Sequence, residues 1–115
     1  MKKLHGIVVP MVTPLTLNAE IDYKATEKLV EHLISGGVHG IFVLGTTGEA
    51  QSLSTAQRES FVEFVGKYIH GRTRYIVGVS DTSIADAVKL AAVALALFAG
   101  VISAFVDNVA TVLMI

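Results

Sequence analysis

Apolar positions fall along the chain in short unbroken runs, separated by longer stretches in which they recur every three or four residues. Gly6 to Val12 reads as a short buried strand in which Pro10 limits the ladder hydrogen bonds. Thr13-Pro14 and Asn18-Ala19-Glu20 form a connection, and Asp22 is placed to N-cap a helix. Leu29, Val30, Leu33 and Ile34 share one face of that helix, Lys24, Glu27, Lys28 and Glu31 the other, and Gly36-Gly37 ends it. Ile41 to Leu44 is apolar throughout, which predicts a strand covered on both faces, as in a parallel sheet.

Ser54-Thr55-Ala56-Gln57 fits a capping box, with Ser54 as N-cap and Gln57 reaching back. The helix it opens runs through Phe61, Val62, Val65, Tyr68 and Ile69 to Gly71, with Glu63 and Lys67 as a favourable i,i+4 pair. Arg74 to Val79 predicts a third strand and Ser80 to Thr82 its turn. Ser83 with Asp86 marks a third helix start. Three strand-helix units in succession imply parallel strands joined by right-handed crossovers. Up to about Ala91 the pattern suits the opening of a (β/α) barrel or a doubly wound sheet. The repetition is architectural, without a residue-level repeat.

The turn after Ile41 to Leu44 carries the chemistry. Gly45-Thr46-Thr47-Gly48-Glu49 places two adjacent hydroxyls, with backbone N–H groups, at the carboxyl end of a strand, where α/β folds bind small molecules. Gly45 and Gly48 are expected to let the backbone turn tightly and approach a ligand. The segment is neither a P-loop nor a dinucleotide fingerprint. His5, His32, His39 and His70 lack metal-ligand spacing.

Composition changes the picture in one place. The chain has 115 residues, a net charge of −1 and no cysteine, which excludes disulfide scaffolds and Cys-ligated zinc. A charge so near zero gives no electrostatic case for nucleic acid. Charged residues make up only 17%, against about 25% in ordinary soluble domains. The deficit is local: from Leu90 to Ile115 the sole formal charge is Asp107. Leu90 to Val106 is a charge-free run at the lower length limit for a membrane span. The pattern therefore divides the chain into residues 1–89 and an apolar segment, 90–115. The alternative reading makes Ala85 to Ala99 the third helix and Val101 to Val106 a fourth strand, with Asp107-Asn108 as a turn.

Gly40 to Gln57, centred on Gly45-Thr46-Thr47-Gly48-Glu49, resembles the dihydrodipicolinate synthase/N-acetylneuraminate lyase family. Gly6 to Pro14 and Tyr75 to Ala91, with Gly78-Val79-Ser80-Asp81-Thr82-Ser83, resemble the family's first and third units. The resemblance implies an α/β fold, a partial (β/α)8 barrel whose first three βα units are followed by an apolar helical tail. It further implies a Schiff-base aldolase or lyase acting on pyruvate or a related 2-oxo acid, cytoplasmic and without cofactor. Gly45, Thr46, Thr47 and Gly48 would bind the substrate, the two hydroxyls holding the carboxylate and Thr46 also serving a proton relay.

The family's Schiff-base lysine lies on its sixth strand and its catalytic tyrosine on its fifth, and the chain ends before either. Lys24, Lys28, Lys67 and Lys89 fall on predicted helices instead. The expectation is a chain that holds the oxo acid and does not turn it over alone. Ser103 to Thr111, with Asp107-Asn108, resembles a fragment of the arsenite and sodium/proton transporter superfamily, which implies membrane contact through 90–115. Open parallel sheet edges imply self-association as a further outcome.

Overall fold

A computed structural model describes residues 4–81 and 83–97. Strands β1 (Val8–Pro10), β2 (Gly40–Val43) and β3 (Arg74–Val77) alternate with helices α1 (Tyr23–Ser35), α2 (Thr55–Ile69) and α3 (Ile84–Leu97). A short 3-10 turn, Ala50–Ser52, precedes α2.

Each helix starts where the sequence supplies a cap. The Asp22 carboxylate accepts from the Ala25 N–H at 3.0 Å, and the Ser54 hydroxyl accepts from the Gln57 N–H at 3.1 Å. The Gln57 side chain returns the bond to the Ser54 N–H at 3.0 Å, completing the capping box. Ser83 accepts from the Asp86 N–H at 3.3 Å. The Glu63–Lys67 pair closes at 2.8 Å, but both side chains are more than half exposed and add little stability.

The three strands pair in parallel, in the order β1-β2-β3. The register matches Val9 with Ile41 and Ile41 with Tyr75, so these residues share one sheet face with Val43 and Val77. That face packs on the helices: Ile41, Val43 and Val77 are fully buried with Val30, Phe61, Val62 and Val65. The Tyr75 hydroxyl crosses the layer to the Val62 carbonyl of α2 at 3.0 Å. Burial raises the Tyr75 pKa well above its ordinary value.

Val8, Pro10, Phe42 and Ile76 share the second face. Ile76 is buried, Val8 and Phe42 are half-buried, and Pro10 is exposed. The apolar run Ile41 to Leu44 therefore does not reflect equal cover on both faces. Leu44 lies beyond the strand, in a left-handed conformation with φ +60° and its side chain buried.

Helix α3 carries the chain from the charged segment into the apolar one without interruption. Lys89 reaches Glu59 of α2 at 3.4 Å. The next residue, Leu90, is 2% exposed and enters the same core as Ala94. Leu90 to Leu95 thus owes part of its apolar character to packing on α2. Among the described residues no helix is long and apolar enough to cross a membrane. The alternative strand Val101 to Val106 and the Asp107-Asn108 pair lie outside the described residues.

Candidate functional site

Three βα turns meet at the carboxyl edge of the sheet, and the second of them, residues 44–53, lies between the other two. It leaves β2 through Leu44 at φ +60° and enters the 3-10 turn through Glu49 at φ +53°. Gly45 and Gly48 are not among the residues at positive φ, so the left-handed steps fall on their neighbours. Gly48 is needed for space instead. A Cβ there would lie 3.1 Å from both the Leu44 nitrogen and the Met11 carbonyl oxygen.

Within the turn, the Glu49 N–H donates to the Thr46 carbonyl at 3.0 Å. The Ala50 N–H points to the Gly45 carbonyl at 3.5 Å. Thr46 and Thr47 are exposed, whereas Gly48 is buried. Among the described residues, neither the N–H groups nor the hydroxyls of Thr46 and Thr47 have a hydrogen-bond partner. Four donors on two consecutive exposed residues at a turn suit an anion such as a carboxylate, without any competing fixed charge.

Both neighbouring turns buttress this one. From the first, the buried Thr13 hydroxyl donates to the Gly48 carbonyl at 2.7 Å. Towards the third, the Gln51 amide donates to the Ser80 carbonyl at 3.3 Å. Arg58, in the first turn of α2, forms an ion pair with Asp81, each side chain 9% exposed. Asp81 in turn accepts from the Ser83 N–H at 2.9 Å. Gln57 ties the start of α2 to the Ala19 carbonyl at 3.0 Å.

Thr13, Gln51, Arg58 and Asp81 do not stand out as site residues in the sequence. Arg58 had a legible signal, because it lies three and four residues before Phe61 and Val62 and hence on the buried face of α2. Thr13 had none, since nothing local marks a hydroxyl whose partner is 35 residues away.

Among the described residues the lysines stay off this edge. Lys24 and Lys28 are exposed on α1, Lys67 pairs with Glu63, and Lys89 pairs with Glu59. Among the described residues no group of three His, Cys, Asp or Glu side chains could hold a metal ion. His39 is occupied near the amino end of the strands, where its Nδ1 accepts the Ile7 N–H at 3.0 Å.

Three parallel βα units in this order form the opening of a (β/α) barrel, a fold that places its ligand sites at the carboxyl edge of the strands. The sequence model of the dihydrodipicolinate synthetase family matches residues 3–106, and the chain belongs to that family. The match takes in residues 90–106 and gives no support to the transporter resemblance or to a membrane role for that stretch.

The chain is 34% identical over 86 residues to 4-hydroxy-tetrahydrodipicolinate synthase of Leuconostoc mesenteroides, covering 75% of this chain and 30% of that protein. It superposes on dihydrodipicolinate synthase from Bacteroides thetaiotaomicron with a TM-score of 0.81 at 45% identity, covering 84% of this chain and 33% of that one. The dihydrodipicolinate synthase from Acinetobacter baumannii complexed with pyruvate gives a TM-score of 0.78 at 32% identity, covering 84% and 33%. The chain thus spans about a third of these proteins, and its three units match the N-terminal part of their barrel.

Proposed function

We propose that Gly45 to Gly48 is the carboxylate-binding turn of a pyruvate-dependent carbon–carbon lyase of the Schiff-base type. The observation that carries this reading is the pair of exposed residues Thr46 and Thr47, whose N–H and hydroxyl donors are unpartnered at the end of β2. The pyruvate bound by the Acinetobacter baumannii synthase supports the ligand class. In this reading Thr46 and Thr47 solvate the oxo-acid carboxylate, and Thr46 passes a proton during the reaction. No described lysine lies at this edge, so these units bind the acid while the covalent step requires an amine they do not supply.

The test is a pyruvate titration of the isotopically labelled chain, followed by borohydride. Amide shifts should centre on Thr46 and Thr47, and no adduct should appear by mass. Replacing both threonines with valine should weaken binding about tenfold or more, as expected for lost hydrogen bonds to a charged group. Shifts centred elsewhere would remove the carboxylate reading, and a trapped lysine would remove the claim that covalent chemistry is missing.

A further inference from the structure

Thr13 is remote in sequence from the turn yet joined to it by a short, buried bond. Its side chain is 5% exposed, and its hydroxyl donates to the Gly48 carbonyl at 2.7 Å. That carbonyl shares a peptide plane with the Glu49 N–H, which donates to Thr46 O at 3.0 Å. The plane is therefore pinned at both ends, by Thr13 on one side and by the turn itself on the other.

The pinning matters because the turn is held in an unfavourable backbone state. Leu44 at φ +60° and Glu49 at φ +53° bracket it, and neither is glycine. Left-handed non-glycine residues persist only where surrounding contacts over-determine them. Within the turn, the Glu49 to Thr46 bond is local and could re-form in another turn geometry. The Thr13 bond cannot, because it comes from the neighbouring βα unit, where the Asp22 N–H holds the Pro14 carbonyl at 2.9 Å.

We infer that Thr13 is a positioning residue: through the Gly48 carbonyl it fixes the orientation of the Thr46 and Thr47 donors. The inference rests on the carboxylate-binding reading for its functional consequence, but not for its structural one. Thr13 does not touch the ligand. Its hydroxyl selects one orientation of a peptide plane, and its methyl group fills buried space that valine would also fill.

The experiment compares Thr13→Val and Thr13→Ser with the unmodified chain. Two quantities are read: amide hydrogen exchange along the chain and the dissociation constant for pyruvate. Thr13→Val should accelerate exchange at Glu49 about tenfold relative to Val30 and Val65, and weaken pyruvate binding by a similar factor. Thr13→Ser, which keeps the donor, should restore both to within about threefold.

Unchanged exchange at Glu49 in Thr13→Val would overturn the inference. Equal acceleration across the whole chain would also overturn it, because that marks a general packing role. Failure of serine to restore exchange would do the same. If the unmodified chain binds no pyruvate, the carboxylate reading falls while exchange at Glu49 still decides the role of Thr13.

Discussion

Gly78 lies so close to the backbone of Leu44 that a Cβ built on it would sit 2.3 Å from the Leu44 carbonyl oxygen. Its own N–H donates to the Val43 carbonyl at 2.8 Å, so the ends of β2 and β3 are locked edge to edge. The left-handed Leu44 turns its carbonyl into the space that a side chain at position 78 would occupy. The contact is backbone against backbone, and no rotamer change relieves it.

Gly78→Ala should therefore cost about 2 kcal/mol or more, the range for inserting a methyl group into packed backbone. Urea unfolding measures the cost, and a variant within about 0.5 kcal/mol of the unmodified chain would refute the close approach. The hydrogen-bonded amides of Glu49 and Ala50 should lose exchange protection before those of α1, since the strain enters at the end of β2.

Tyr75 predicts an alkaline limit to stability. Desolvation raises the pKa of its buried phenol well above the ordinary value in the folded chain. The unfolded chain deprotonates first, near pH 10. Stability from this group is therefore fully present below pH 10 and declines as the pH rises from there towards the folded pKa. Denaturant midpoints at pH 9 and pH 11 should differ more for the unmodified chain than for Tyr75→Phe. Equal differences would mean that Tyr75 does not titrate with unfolding. At pH 9 the Tyr75→Phe variant should itself lose about 1 kcal/mol with the bond to Val62.

The Arg58–Asp81 pair predicts a specific pattern of non-additivity. Both side chains are 9% exposed, and the pair joins α2 to the turn after β3. Arg58→Met removes the cation and leaves a largely buried carboxylate, which should cost about 3 kcal/mol or more. Asp81→Asn alone keeps the acceptor for Ser83 but strands the guanidinium. The double variant should recover at least half of the summed losses, as measured in a thermodynamic cycle of unfolding free energies. Simple additivity would show that the two groups act independently.

The apolar segment after Lys89 shows where composition and packing part company. Seventeen residues without charge, Leu90 to Val106, satisfy the length criterion for a membrane span. Yet Leu90 and Ala94 are buried against α2, in the core that Phe61 and Val62 fill. Hydropathy cannot separate these origins, because lipid and a protein core reward the same side chains.

What the sequence determined by itself is everything set by local rules. Helix starts at Asp22, Ser54 and Ser83 follow from capping, and strand positions follow from apolar runs between turn residues. The parallel order follows from strand-helix alternation, and the hydroxyl turn at Thr46 and Thr47 from its place after β2. What only the tertiary structure decided is which residues from distant turns converge around that turn. Thr13 reaches Gly48, Gln51 reaches Ser80, and Gly78 makes room for Leu44. The tertiary structure also decided that Leu44 and Glu49, not Gly45 and Gly48, take the left-handed steps. The physical reason is common to all of these. A cap or a helical stripe is satisfied by residues within a few positions, whereas a buttressed turn is satisfied by neighbours that only sheet register brings together.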